Sequence, residues 1–250
     1  MRKILIPLML GCTFTTAFVQ ADSFSDSVKL AMASEVRSDK DKARDNNRQP
    51  LKTLQFLGIK SDMKVLELIP GGGWYTAILA PVLKEKGQLY VGIASDRLKN
   101  GLLKKEGFND VKTVNDAQWT QNTEEKRYNL SNVDFELSNI DAVLTFRNYH
   151  NLSFDTRTKI NEQALKALKP GGIYGIVDHT RRHMQSENDE NGRRIDPVLV
   201  IKEVQAAGFK FVDYSNLHYK ADDELRYEVG RSTVKGNTDR FTFIFKKPMK

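Results

Sequence analysis

The chain has 250 residues, 40% of them hydrophobic and 28% charged, with a formal net charge of +7 and a mean hydropathy of -0.50. That composition excludes an intrinsically disordered chain, a collagen and a multi-span membrane protein. The length suits one α/β domain able to bury its core without metal or disulfide staples.

Residues 1–21 read as a secretory signal peptide. Arg2 and Lys3 precede an apolar run from Ile4 to Val19, which ends at the small-residue site Val19-Gln20-Ala21. Pro7, Gly11 and several threonines interrupt the run, and about 20 apolar residues are needed to span a bilayer. No stable membrane insertion is therefore expected after cleavage. A lipid-modified Cys12 is the poorer reading, because the apolar stretch continues past it. Cleavage removes Cys12, the only cysteine, and lowers the charge from +7 to +5 through loss of Arg2 and Lys3. A chain without thiols suits an oxidising compartment, and the expected location is the periplasm. The densest basic clusters (Lys99, Lys104, Lys105; Arg181, Arg182, His183; Lys246, Lys247, Lys250) are short. They lack the stacking aromatics of a nucleic-acid stripe, so solvated surface is expected rather than a nucleic-acid partner. The pattern fixes no oligomeric state.

Phe24 to Arg37 reads as a helix and Ser38 to Arg48 as a polar link, so residues 22–49 precede a domain over 50–250. Pro50 opens a second helix with Leu51, Leu54 and Leu57 on one face. From Lys64 short apolar strands alternate with amphipathic helices. The order is KVLELI, a helix carrying Trp74, Ile78, Val82 and Tyr75, Leu79, Leu83, then QLYVGI (88–93) and a helix near Asp96–Glu106. VKTV (111–114), IDAVLTF (140–146), a helix near Phe154–Leu168 and GIYGIVD (172–178) follow. Such alternation predicts a Rossmann-like, doubly wound, mostly parallel sheet. A helix from Pro197 to Ala207, then FKFVDYSN and RFTFIFK, predicts an antiparallel C-terminal edge. Thr180–Arg194 and Lys220–Asp239 stand outside the pattern as long polar insertions.

The first strand runs into Pro70-Gly71-Gly72-Gly73-Trp74-Tyr75-Thr76 and a helix. Glycines at such a corner let a ligand approach the backbone beside the helix N-terminus, at the place where open α/β sheets bind ligands. The Walker ending Gly-Lys-Ser/Thr is missing. With VLELIPGGGWYT, DAVLTFRNYHNL, LKPGGIYGIVDH and RIDPVLVIKEVQAAGF, the chain resembles the class I S-adenosylmethionine-dependent methyltransferases over roughly residues 50–248. The LIPGGGWYT motif in particular resembles an exported bacterial branch of predicted methyltransferases. The resemblance implies S-adenosylmethionine as cofactor, a small-molecule substrate, and cofactor contacts at Glu67, Gly71, Gly72 and Gly73. It also implies Asp116 at the adenine end, and Asn148, beyond the fourth strand, is a further expected cofactor contact. Two positions depart from the family's pattern: Ile69 replaces the first loop glycine, and the second strand meets no acid until Asp96.

Two of the four histidines follow apolar strands, in RNYH and VDH. With those strands adjacent, Arg147, Asn148, His150, Asp178 and His179 converge on one mouth, the kind of constellation expected of a catalytic site. His150 or His179 is the expected base, with Asp178 orienting the ring beside it. His218 reads as structural. His179 and His183 are four apart, as helical metal ligands would be, but their segment reads as a lid and no third ligand is fixed, so no metal is assigned. The leading expectation is an S-adenosylmethionine-dependent methyltransferase with a small acceptor. An exported non-catalytic binding protein on the same fold and a metal-assisted hydrolase are the alternatives.

Overall fold

The computed structural model describes residues 23–114, 117–124 and 126–249. The expected leader, Cys12 and Asp116 lie outside them.

Helix α1 (Ser23–Ala33) leads into two short turns, α2 (Asp39–Lys42) and α3 (Asp45–Arg48), then α4 (Pro50–Phe56), β1 (Lys64–Leu68) and α5 (Thr76–Leu83). Next come β2 (Gln88–Gly92), α6 (Asp96–Lys99), β3 (Lys112–Thr113), β4 (Gln118–Asn122), β5 (Arg127–Ser131) and β6 (Ile140–Phe146). The chain closes with α7 (Phe154–Ala167), β7 (Leu168–His179), α8 (Pro197–Ala206), β8 (Lys210–Ser215) and β9 (Arg240–Lys246). Seven strands form one sheet in the order β3-β2-β1-β6-β7-β9-β8. The pairs among the first five are parallel, and β9 runs antiparallel to both β7 and β8. The sheet is thus the mostly parallel, doubly wound one with an antiparallel edge that the strand–helix alternation predicts.

Successive residues of each strand feed opposite faces, as a period of two requires. Leu66, Val143, Phe243 and Phe245 pack with Ile160, Ala164, Val200 and Val204 of α7 and α8. Val65, Ala142, Leu144 and Ile244 pack with Val28, Leu54, Ile78 and Leu79 of α1, α4 and α5. Strands buried on both faces are nearly all apolar for this reason.

Local chemistry accounts for the departures from expectation. The polar link is helical in two pieces because Ser38 caps α2, accepting from the Asp41 amide at 3.2 Å. The helix expected over 96–106 stops at Lys99 and resumes as a single 3₁₀ turn at Leu102–Lys104, on the far side of Asn100-Gly101. The sequence reading missed the separate hairpin β4–β5. Among the described residues no helix is long and apolar enough to cross a membrane.

Candidate functional site

The carboxyl ends of β1, β2 and β6 meet at one edge, each followed by left-handed backbone on a non-glycine residue: Ile69 (φ 53°), Ile93 and Ala94 (φ 64° and 54°), and Arg147 (φ 63°). Ile69 therefore adopts backbone that a glycine takes freely, at the strain a β-branched residue carries there. Its amide donates to the Gly92 carbonyl at 2.8 Å, and its own carbonyl accepts from Asn148 Nδ2 at 3.0 Å. These bonds tie the three strand ends together. Gly71 also has positive φ (59°), and a Cβ there would meet nothing within 4 Å, so the space above it is open. Gly73 (φ 83°) differs, since a Cβ there would lie 2.4 Å from Leu98 Cδ1. Gly73 is needed for close packing of the loop on α6, and Gly71 for the turn itself.

Over this corner lies a cavity of about 330 Å³ lined by Ile69, Gly71, Gly72, Trp74, Arg48 and Arg147, among others. Ile69 and Trp74 form its walls and do not plug it. A second, more apolar cavity of about 300 Å³, between Ala94, Trp119 and Tyr128, shares Ile69 and Asn148 with the first. Glu67 lies beneath the first cavity, buried, and accepts from Thr76 Oγ1 at 2.6 Å. Burial pushes its carboxyl up to about 7, against the opposing effects of Thr76 and Arg48.

Trp74 and Tyr75 both pack and line the cavity. Tyr75 stacks on Phe146 with centroids 3.6 Å apart. Trp74 donates from Nε1 to the Asp41 carbonyl at 3.0 Å and carries the Arg48 guanidinium over its ring, 4.3 Å from the centroid. Arg48 is positioned through its backbone: its carbonyl accepts from Thr53 Oγ1 at 3.0 Å, His218 Nε2 at 3.0 Å and Tyr75 Oη at 3.4 Å. His218 thus has the structural place expected of it. Its Nδ1 accepts from Thr242 Oγ1 at 2.7 Å, and burial pushes the ring down to about 4.

The structure brings His150, Asp178 and His179 together, all buried, with the two rings 5.6 Å apart. Asp178 holds the ring of His150, across the strand boundary, through Nδ1 at 2.6 Å. It was expected to orient the adjacent His179. Its oxygens also accept the backbone amides of His150 at 2.9 Å and His179 at 2.7 Å. His179 makes other bonds: Nε2 accepts from Arg147 Nε at 3.1 Å, so Nδ1 carries the proton and donates to Thr238 Oγ1 at 2.9 Å. Burial, with His150 and Arg147 nearby, holds His179 well below the ordinary histidine value. Both of its nitrogens are engaged, whereas among the described residues only Nδ1 of His150 is.

The insertion over 180–194 is docked onto the rest of the chain through Arg194. Fully buried, it donates to the carbonyls of Thr180 and Tyr227 and pairs with Asp223 at 2.9 Å, joining the two long insertions. His183 pairs with Asp196 at 2.8 Å, apart from His179. Among the described residues no three side chains of His, Cys, Asp or Glu group as a metal site. Sequence reasoning missed Arg48 and Trp119. The only available signals were an arginine before Gln49-Pro50 and a tryptophan opening a short polar strand.

No protein-family model matches the chain, and no curated protein matches it. Solved structures do. A SAM-dependent methyltransferase from Aquifex aeolicus superposes with a TM-score of 0.58 at 17% identity, over 89% of this chain and 97% of that one. The [4+2]-cyclase SpnF gives 0.56 at 14%, over 82% and 81%. The arsenic(III) S-adenosylmethionine methyltransferase of Chlamydomonas reinhardtii gives 0.54 at 16%, over 89% and 73%. At such identities the likeness is one of architecture: the chain has the Rossmann-like fold of the class I methyltransferases.

Proposed function

We propose that the protein transfers a methyl group from S-adenosylmethionine to a small acceptor, outside the inner membrane if the leader over residues 1–21 directs export. The observation that supports this reading is the pair of neighbouring cavities at the ends of β1, β2 and β6, with Ile69 and Asn148 in the wall of both, one polar over Gly71 and Gly72, the other more apolar between Ala94 and Trp119. Two such compartments suit a ligand with an amino-acid group at one end and a flat nucleobase at the other. Glu67, Gly71, Gly72 and Asn148 would hold the cofactor, on a turn shaped by Gly73, with Asp116 as the expected adenine contact. When bound, that cofactor supplies an electrophilic methyl group. His150 is the base: with Nδ1–H directed at Asp178, Nε2 keeps its lone pair, and the carboxylate stabilises the imidazolium formed on taking the acceptor's proton. Asp178 also fixes the ring's orientation through the backbone amide of His150. His179, neutral and bonded at both nitrogens, positions Arg147 instead. Catalysis of this kind rests mainly on alignment.

A second reading, an exported binding protein that holds a different ligand, is favoured by one observation. β2 ends at Gly92 and is followed by Ile93-Ala94, and the next acid, Asp96, is exposed on α6, so the acid that the resemblance implies for gripping the ribose is missing from the strand end. Isothermal titration of the purified chain with S-adenosylhomocysteine tests the first reading. Saturable binding is expected, and Gly72→Asp should abolish it by projecting a side chain between the loop and Arg97, 3.5 Å from a Cβ at that position. A flat titration, or a different small molecule found by mass spectrometry in natively purified protein, favours the second.

A further inference from the structure

A third cavity, of about 790 Å³, opens beyond the two at the strand ends. Tyr128 and Asn151 line both it and the apolar cavity beside Trp119, and the 3₁₀ turn Tyr149–Asn151 places His150 next to that shared wall. The Ser153 amide donates to the Tyr128 carbonyl at 3.0 Å, fixing the hairpin strand to the same turn. The insertion over 180–194 supplies more of the wall through Glu187, Asp189 and Arg193. Arg193 holds the Glu228 carboxyl below its usual range, and His150 contributes in the same direction, so the His150 ring lies within electrostatic reach of the cavity. Two aromatic side chains of the wall are open to a ligand, Tyr128 at 43% exposure and Phe154 at 56%. The charged groups around them are already matched: Lys126 pairs with Asp189, Arg127 with Glu187, Arg193 with Glu228 and Arg157 with Glu203. Among the described residues Glu124 alone of the wall's charges stands outside these pairs, exposed on the hairpin loop. A carboxylate ligand would have to displace one of the paired acids, and an ammonium is left only Glu124, where solvent and salt make a pair worth little. A flat uncharged ring meets two aromatic partners and disturbs no pair.

We infer that this cavity receives the methyl acceptor and that the acceptor is an uncharged phenol, its ring against Phe154 and Tyr128 and its hydroxyl at the Asn151 end, beside His150. This rests on the methyltransferase reading for the word acceptor, but the aromatic site itself follows from the cavity's wall. The acidity of the hydroxyl agrees with the base. A phenol ionises at about 10, within range of a histidine at about 6.5, whereas an aliphatic hydroxyl, close to water at about 15.7, is out of range. In the transfer the phenolic proton passes to His150, the phenolic oxygen forms the bond to the methyl carbon, and the carbon–sulfur bond breaks with its electron pair left on sulfur. The products are an aryl methyl ether and S-adenosylhomocysteine.

The test is isothermal titration of the full chain with p-cresol, benzoate, benzylamine and cyclohexanol, each with and without S-adenosylhomocysteine. Saturable p-cresol binding is expected, roughly tenfold or more tighter than that of the two charged rings and of the aliphatic alcohol. Phe154→Ala should weaken p-cresol binding roughly fivefold, and Phe154→Tyr, which keeps the ring, should restore it. Phe154 lines neither of the cavities given to the cofactor, so S-adenosylhomocysteine binding should be the same in parent and variants. No saturable p-cresol binding, p-cresol binding untouched in Phe154→Ala, or any of the other three compounds bound as tightly as p-cresol overturns the inference. In that event retained S-adenosylhomocysteine binding leaves the methyltransferase reading standing. Selective p-cresol binding that Phe154→Ala weakens, in a chain that does not bind S-adenosylhomocysteine, removes that reading and keeps the phenol site.

Discussion

Ile69 stands where the methyltransferase resemblance implies a glycine, and the backbone says what that exchange amounts to. The position has φ at 53°, so the side chain sits on the left-handed backbone that glycine favours. For an L-residue left-handed backbone costs about 1–2 kcal/mol, while glycine adopts it freely. Ile69→Ala loses half-buried packing and keeps the strain; Ile69→Gly loses the same packing and sheds the strain. Denaturant melts should therefore rank Ile69→Gly above Ile69→Ala by about 1 kcal/mol, the reverse of the usual order in regular structure. Alanine equal to glycine or better would mean that the turn after β1 is not left-handed. The same residue explains a limit of the sequence reading. The substitution of Ile for Gly is visible in the letters, but retention of the backbone shape beneath it is not.

Between elements, the helices α7 and α8 are joined by a buried ion pair that also underlies the turn carrying His150. Arg157 meets Glu203 through Nε at 2.8 Å and a terminal nitrogen at 2.7 Å, and Tyr149, next to His150, donates to the same carboxylate at 3.1 Å. Arg157→Met leaves Glu203 buried without its cation and should cost about 3–5 kcal/mol, whereas the double change to methionine at both positions should recover most of that loss. Equal losses in the single and double variants, read from urea unfolding, would show that the two side chains are not coupled. The helices themselves were legible, because Ile160, Ala164, Val200 and Val204 repeat at helical spacing over a buried sheet. The β4–β5 hairpin was not, because Gln118–Asn122 buries no residue fully and Arg127–Ser131 buries only its arginine and Leu130, leaving no period-two signal to read. The histidine–aspartate cluster was legible because Asp178 and His179 end one apolar strand and His150 follows another by one turn. The arginines of the glycine-loop cavity were not, since Arg48 sits on α3 and Arg147 beyond β6, and only the folded topology brings them to one wall.

For the whole molecule, its buried titratable groups set a stability optimum, because they pull in opposite directions. Glu67 has a folded pKa of about 7 against 4.5 for the free group. Between those values the native state holds a proton that the unfolded chain has lost, so stability falls as pH rises through the window, by about 3 kcal/mol in all. His218, at about 4 against 6.5, and His179, lower than its free value, do the reverse. Below 6.5 the unfolded chain binds protons that these native rings refuse, and stability falls as pH drops. Between 4.5 and 6.5 two histidines oppose one glutamate, so the histidines set the slope; from 6.5 to about 8, where the buried Arg48 begins to lose its proton, Glu67 sets it. The urea midpoint should therefore peak near pH 6.5 and decline on both sides. Glu67→Gln, which keeps an oxygen to accept from Thr76, should abolish the alkaline decline up to about 8 and turn the peak into a plateau, while leaving the acid limb in place. An alkaline decline unchanged in that variant would place its origin outside Glu67 and mean that this carboxyl is already ionised in the native protein at low pH.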